Sequence, residues 1–463
     1  MKLLILDFVL VVSMCAVGHT VEFALWRGET FVARLPDCVE LGESPKGMSV
    51  REGVILPVRY APVPGGLQRF EVCDRVVWDS DAAGPRVVEI SVQPGTSAGT
   101  YKCGMMEVRV VDRVLPPAKE WKYYLDLWQH PWAVARWAKV KPFSNEHYAA
   151  MRPLWELLAT AGQKTITITL LDQPWGHQCY DAYHSMMTDD FKLFDEYVEF
   201  CRGCGLGPDI SCYSLCPWTL GKSIDAGALE KRWGEFLGRF AAHLKEKGWY
   251  DNTYMAMDER EPEDVRKVVE FVRRHAPGMK VSMAGNRKPS DFKGIRIDSY
   301  SQILLPDCLT EEFLKEAAER KKKGQKTTFY TCCFPDKPNT FMSNGEGEAF
   351  WLGAFPAISG LDGYLRWAWN SWPQNPIRDA SYGNWKSGDT FLVYPGGSPS
   401  WRFLELRNGI VAAEKLRILR GAGALDEKEF AKMSESFDVK QATGGGVDFP
   451  SARKNVMTLV NMD

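Results

Sequence analysis

The sequence predicts a multidomain protein in which an all-β sandwich precedes a (β/α)8 TIM barrel. Three observations carry this expectation. The chain has 463 residues, too many for one ordinary domain but enough for a sandwich and a barrel together. Residues 21–117 form short alternating or β-branched runs separated by Pro, Gly, Ser and Asp clusters. Residues 120–420 then repeat strand, loop and helix, with eight strands, the number a closed parallel barrel needs.

Residues 1–18 open with Lys2, continue through an apolar run broken by Asp7, and end on the small residues Ala16 and Gly18. That order is a secretory signal, so the protein is expected to be exported, periplasmic or secreted. Cys15 follows Val12-Ser13-Met14, a poor lipobox, which makes a lipid anchor the weaker reading. The run is too short and too interrupted to span a bilayer, and no other segment approaches that length. In the sandwich region the runs are 21–35, 54–60, 69–78, 86–92 and 105–111, and Pro116-Pro117 closes the domain. The barrel strands read as 123–128, 165–172, 209–215, 253–258, 280–284, 296–301, 326–332 and 363–369. Apolar stripes at helical spacing fall on 147–161, 190–202, 229–247, 263–274, 310–323, 346–358 and 400–418. Residues 421–463 are charged and then Gly-rich at 444–446, and are expected as a C-terminal appendage.

Lys and Arg number 57 against 59 Asp and Glu, a net charge of −2. This balance argues against a nucleic-acid partner, which would call for a basic footprint. The 12 cysteines are spread too thinly for a disulfide scaffold, and Cys73 with Cys103 is the pair to check for a bridge. Cys201-x-x-Cys204 has no second pair at metal-ligand spacing, and its simpler reading is two buried thiols at a helix end. Gly203-x-Gly205-x-Gly207 precedes a strand instead of following one, and neither a Walker sequence nor H-E-x-x-H occurs. No cofactor and no metal is expected. The outlier is aromatic: Phe, Tyr and Trp make up 12% of the chain, with 17 Trp.

A TIM barrel places its active site at the C-terminal ends of its strands. The residues there include Trp128, Gln129, His130 and Trp132, then Asp172, Trp175 and His177, then Trp218. Later strands deliver Asp258-Glu259-Arg260, Asn286, Tyr300, Tyr330, and finally Trp367, Trp369, Asn370 and Trp372, with Trp385 beyond. Packing explains each Trp singly, but flat rings gathered at one rim suit the C–H face of a pyranose. Asp258-Glu259 is the sharpest feature, because glycoside hydrolysis needs paired carboxylates. Adjacent strand residues point to opposite faces, so both reach one pocket only where the strand ends and bends. A pair this close suits a division of labour in which the substrate's own acetamido oxygen attacks the anomeric carbon. The same dipeptide can also simply cap the helix that begins near Pro262.

The run Tyr124-Leu125-Asp126-Leu127-Trp128-Gln129-His130-Pro131-Trp132-Ala133-Val134-Ala135-Arg136 resembles the opening of the catalytic domain of glycoside hydrolase family 123. Gly363-Tyr364-Leu365-Arg366-Trp367-Ala368-Trp369-Asn370-Ser371-Trp372 and the later Gly388-Asp389-Thr390-Phe391-Leu392-Val393-Tyr394-Pro395-Gly396 resemble it as well. The resemblance implies a β-sandwich before a barrel and a retaining, acetamido-assisted exo-β-N-acetylgalactosaminidase. It places the family's catalytic pair on Asp258, stabilising an oxazolinium-like intermediate, and on Glu259, acting as acid and then base. Members of the family often carry Pro directly after the pair; here Arg260 intervenes and Pro stands at 262. The tyrosine that holds the acetamido group has no motif to mark it, leaving Tyr300 and Tyr330 as candidates.

The expected substrate-binding set is therefore Trp128, His130, Asp172, Trp175, Asn286, Tyr300, Tyr330, Trp367, Asn370 and Trp385. The expected partner is a carbohydrate ending in a β-linked N-acetylhexosamine. Two alternatives stand beside this reading: a conventional retaining glycosidase pairing Glu259 with Asp172 or Asp336, and a silent carbohydrate-binding protein.

Overall fold

The computed structural model describes residues 20–170, 190–213 and 226–462, and the chain divides into two compact units. The expected signal segment, Asp172, Trp175, His177 and Trp218 lie outside the described residues.

The first unit contains residues 1–123, 333–358 and 375–463. Its strands are β1 (Val21–Arg27), β2 (Thr30–Leu35), β3 (Met48–Tyr60), β4 (Phe70–Trp78), β5 (Arg86–Val92), β6 (Gly99–Cys103) and β7 (Met106–Val114). They form an antiparallel sheet of order β2-β5-β3-β4 and a three-stranded sheet of order β1-β7-β6, as in a sandwich. The alternation that predicted strands is visible in β5, where Val87, Val88, Ile90 and Val92 are buried. Cys73 and Cys103 are both free thiols, so they form no bridge.

The second unit, residues 124–332 and 359–374, holds the parallel sheet. Its strands are β8 (Tyr124–Leu127), β9 (Thr165–Thr169), β10 (Asp209–Tyr213), β11 (Thr253–Asp258), β12 (Lys280–Gly285), β13 (Ser299–Ile303), β14 (Lys326–Thr331) and β15 (Gly363–Arg366). Hydrogen-bonded order runs β8-β15-β14-β13-β12-β11-β10-β9, a nearly closed barrel, and every residue of β9, β10 and β13 is buried. The helices between are α1 (Pro131–Ala138), α2 (Asn145–Ala159), α3 (Lys192–Gly203), α4 (Ala226–Glu246), α5 (Pro262–His275) and α6 (Glu311–Lys322). Ser144 caps α2 and Thr310 caps α6, each accepting an N–H three residues on.

The seam between β8 and β9 is stitched by two buried glutamines. Gln163 accepts from the Leu127 amide (3.0 Å) and donates to the carbonyls of Leu127 (3.2 Å) and Thr165 (2.7 Å). Gln129 accepts from the Thr167 amide (2.9 Å) and donates to the Thr165 carbonyl (3.3 Å) and that of Leu127. These amides do for the two edge strands what a strand partner would. Gln129 therefore belongs to the barrel wall, not to a sugar subsite.

Helices α7 (Glu348–Ser359) and α8 (Trp401–Gly421) follow β14 and β15 in the chain, as a barrel requires. They group almost wholly with the first unit. The tail, expected as an appendage, is also part of that unit: α9 (Glu427–Ser434), α10 (Val439–Thr443) and α11 (Phe449–Val460) carry buried apolar residues. Ala452, Val456 and Val460 repeat at one-turn spacing and are buried. The Trp26 indole donates to the Val460 carbonyl at 2.9 Å. Lys415 of α8 reaches Glu29 (2.5 Å) and Asn461 (2.9 Å), tying helix, tail and the β1–β2 turn together.

Candidate active site

The interior face of the barrel is set by a polar floor. Asp209 accepts from the Tyr124 hydroxyl (2.8 Å) and from Lys326 (2.5 Å), and Lys326 also donates to Tyr254 (2.9 Å). All four stand at or near the starts of their strands, so they close the N-terminal end. Strand alternation then fixes who else faces inward. On β11 these are Tyr254, Ala256 and Asp258; on β14 they are Lys326, Thr328 and Tyr330. A small cavity above the floor is lined by Asp126, Tyr213, Ser282, Ala284, Ser301 and Thr328 among others. Burial pushes the Asp126 carboxyl up to about 7.

Strand β11 ends at Asp258, which is in register with Ala284 of β12. The next residue, Glu259, bends away with φ +44°, a conformation rare for a residue with a side chain. Its amide is held by the Ala284 carbonyl at 2.8 Å. The strand therefore stops and turns between the two carboxylates, so they are not forced to opposite faces as on a continuing strand. Backbone strain of this kind is typical of functional positions.

Asp258 is half-buried, and burial raises its carboxyl to about 7, with the Glu259 charge adding and the Arg260 guanidinium opposing. Glu259 is exposed, and its Oε1 accepts a 2.5 Å hydrogen bond from the Tyr330 hydroxyl. Burial, then the charge of Glu259, pushes the Tyr330 phenol far above its ordinary value, so Tyr330 remains a donor. Arg260 is half-buried beside the pair, and desolvation lowers its own value.

The structure separates the two tyrosine candidates. Ser299 and Ser301 line the interior cavity, so Tyr300 between them faces outward. It is fully buried against Phe292, and its hydroxyl donates to the Arg287 carbonyl. Tyr300 is thus a packing residue, and only Tyr330 meets the carboxylate pair. Asn286 follows β12 directly with an exposed side chain, while its carbonyl accepts from Cys308 at 3.7 Å.

Several expected sugar contacts are used elsewhere. The His130 amide donates to Asn370 Oδ1 (2.9 Å), and Asn370 Nδ2 returns a bond to the His130 carbonyl (3.0 Å). The His130 ring meets the Trp367 carbonyl at 3.0 Å, and burial lowers it to about 4, leaving it neutral. This reciprocal lock joins the exits of β8 and β15. Trp128, Trp367, Trp369 and Trp372 are 1%, 6%, 0% and 1% exposed, so these rim tryptophans pack instead of presenting a ring face. Trp128 lies against Tyr213 at 4.5 Å. Trp132 and Trp385 are half-exposed, the latter in the first unit. Asp336 is exposed and paired with Lys386. Among the described residues no group of three or more His, Cys, Asp or Glu could hold a metal ion, and no helix is long and apolar enough to cross a membrane.

The profile of the glycoside hydrolase 123 catalytic domain matches residues 128–419. The fold is similar to that of a family 123 glycoside hydrolase from Clostridium perfringens, whose structural analysis concerns glycolipid glycan hydrolysis. That likeness has a TM-score of 0.79 at 20% identity, covering 95% of this chain and 93% of that one. Weaker likenesses include a broad-specificity endoglucanase from Clostridium longisporum (TM-score 0.38, 13% identity, 64% of this chain and 97% of that one). A xyloglucanase from Paenibacillus pabuli is similar to the same degree (TM-score 0.38, 11% identity, 64% and 99%). No curated protein matches the chain. With the profile spanning more than half of its length, and with a nearly closed eight-stranded barrel behind N-terminal sheets, the chain belongs to glycoside hydrolase family 123 and is a glycosidase.

Proposed function

We propose that this glycosidase is a retaining exo-β-N-acetylgalactosaminidase that removes terminal β-linked GalNAc from glycans or glycolipids by substrate-assisted catalysis. The observation that carries the reading is the Asp258–Glu259 pair on the bend after β11, with Tyr330 bonded to Glu259.

In this scheme the acetamido carbonyl oxygen attacks C1 as Glu259 gives its proton to the glycosidic oxygen. The C1–O bond breaks, the aglycone leaves as an alcohol, and an oxazolinium forms. Asp258 accepts from the acetamido N–H and faces the positive charge that develops there. Burial makes its ionised form costly beforehand, and an adjacent cation repays that cost only as the charge appears, which is differential stabilisation. Glu259 then takes a proton from water, whose oxygen opens the ring at C1 with retained configuration. Tyr330 orients the Glu259 carboxylate and, by its place beside the pair, is the tyrosine proposed for the acetamido group. Asn286, Asp172 and Trp175 stay as proposed contacts, and Trp385 belongs to the first unit.

The test is turnover of aryl β-GalNAc and aryl β-GlcNAc by the wild type, Asp258→Asn and Glu259→Gln. Release from the GalNAc substrate that either substitution abolishes supports the reading. A preference for GlcNAc would change the sugar, and wild-type turnover in either variant would sink the mechanism.

A further inference from the structure

The most exposed apolar side chain of the described residues, Leu67, has two other exposed apolar side chains close by in the sequence. Val63, Leu67 and Phe70 are 57%, 95% and 43% exposed, three of the seven large hydrophobic residues left open to solvent. All lie within eight residues, at the tip of the β3–β4 hairpin. Leaving one leucine exposed is ordinary, but this clustering is not.

The tip is held in place. Gly65, with φ +67°, donates its amide to the Gly383 carbonyl at 3.1 Å. The Ala380 amide donates to the Arg59 carbonyl (2.8 Å), and the Arg59 amide to the Arg378 carbonyl (3.2 Å). Arg69 Nε reaches Asp379 at 2.9 Å, and Tyr60 packs on Phe70 with ring centroids 6.2 Å apart. The segment that braces it carries the half-exposed Tyr382 and Trp385, themselves paired as an isolated bridge. The result is an apolar apex with amphipathic rings, with the exposed residues Arg59 and Arg378 at its base and Arg69 paired to Asp379.

We propose that this apex docks the enzyme on a phospholipid bilayer surface, with Val63, Leu67 and Phe70 entering the boundary below the headgroups. Three features favour that occupant. Leu67 and Val63 have no flat face to stack on a sugar. Three exposed side chains on one hairpin tip fall far short of the roughly 800 Å² per partner of a stable protein interface. Tyr and Trp beside an aliphatic tip, with the exposed Arg59 and Arg378 at its base, match the layered chemistry of a membrane interface facing anionic headgroups. Docking would confine the enzyme to the layer that presents lipid-linked glycans, a purpose that rests on the hexosaminidase reading above.

The test uses the full chain and vesicles of mixed phosphatidylcholine and phosphatidylserine. Wild type should co-sediment with them, and Leu67→Glu should lower the partition coefficient by roughly tenfold or more, the scale of withdrawing one leucine from an apolar phase. Leu67→Glu should lose turnover of vesicle-borne lipid-linked β-GalNAc in proportion, yet keep wild-type turnover of the soluble aryl substrate and an unchanged Tm. Wild type that stays in the supernatant overturns the proposal, as does Leu67→Glu that sediments equally. A self-association that Leu67→Glu abolishes, without vesicle binding, assigns the tip to a second copy and overturns it too. Sedimentation without aryl β-GalNAc turnover would sink the proposed activity and leave the docking standing; the reverse result would do the opposite.

Discussion

Replacing Asp258 by Asn should stabilise the protein while it abolishes turnover, and the stabilisation should grow with pH. The folded protein raises this carboxyl from 3.8 to about 7, chiefly by burial. A carboxyl whose folded value is raised binds its proton more tightly folded than unfolded. It therefore withdraws stability as pH rises from about 4, and the full loss is reached above about 7. A rise of that size corresponds to about 4 kcal/mol. Part of the rise comes from Glu259, and Asn retains some desolvation cost, so about 2–4 kcal/mol is expected at pH 8. For a large domain this is roughly 4–12 °C in Tm. The assay is thermal unfolding of wild type and Asp258→Asn at pH 4, 5.5, 7 and 8. The two should coincide at pH 4 and separate progressively above it, Asn the more stable. A variant equally or less stable than wild type at pH 8, or a difference that ignores pH, would refute the reasoning that burial has tuned this carboxyl.

Other consequences are more local. Tyr330→Phe removes the 2.5 Å bond to Glu259 and should lower kcat about 10- to 100-fold with the fold intact; unchanged kcat in a steady-state assay would remove Tyr330 from the site. Gln163→Leu strands the Leu127 amide and leaves the Leu127 and Thr165 carbonyls to Gln129 alone at the barrel seam, at a cost of about 1–3 kcal/mol. Hydrogen exchange should then speed up at β8 and β9 before the other barrel strands. Lys415→Met leaves Glu29 buried without its cation, and should cost about 3–5 kcal/mol in denaturant unfolding. Adding Glu29→Gln should recover part of that loss.

The barrel and the carboxylate pair were both legible in the sequence, because each rests on local pattern. Eight buried runs alternate with amphipathic helices, and Asp258-Glu259 ends a strand just before Pro262. What was not legible depends on register and on long-range partners. Tyr300 and Tyr330 both read as lying near a strand end. Yet Tyr300 pairs with Thr327 near the start of its strand while Tyr330 pairs with Ile303 near the exit, and the inward positions of Ser299 and Ser301 turn Tyr300 to the outer face. Nearness to a strand end could not distinguish Trp128, buried on Tyr213, from a ring open to a ligand. His130 and Asn370 are 240 residues apart, so their reciprocal bonds leave no trace in either local sequence. The tail did carry a signal: Ala452, Val456 and Val460 mark a helix face that needed a partner, but Gly444-Gly445-Gly446 read more loudly as an appendage.

Whether Asp258 and Glu259 work with the substrate's own acetamido group is decided by inhibition with a thiazoline that mimics the cyclised intermediate, measured against aryl β-GalNAc turnover by the wild type and by Asp258→Asn. The thiazoline should bind wild type far more tightly than GalNAc itself, and Asp258→Asn should lose this preference together with turnover. A wild type that turns over aryl β-GalNAc yet binds the thiazoline no better than GalNAc would contradict it, and would return Glu259 to a conventional mechanism with a different carboxylate.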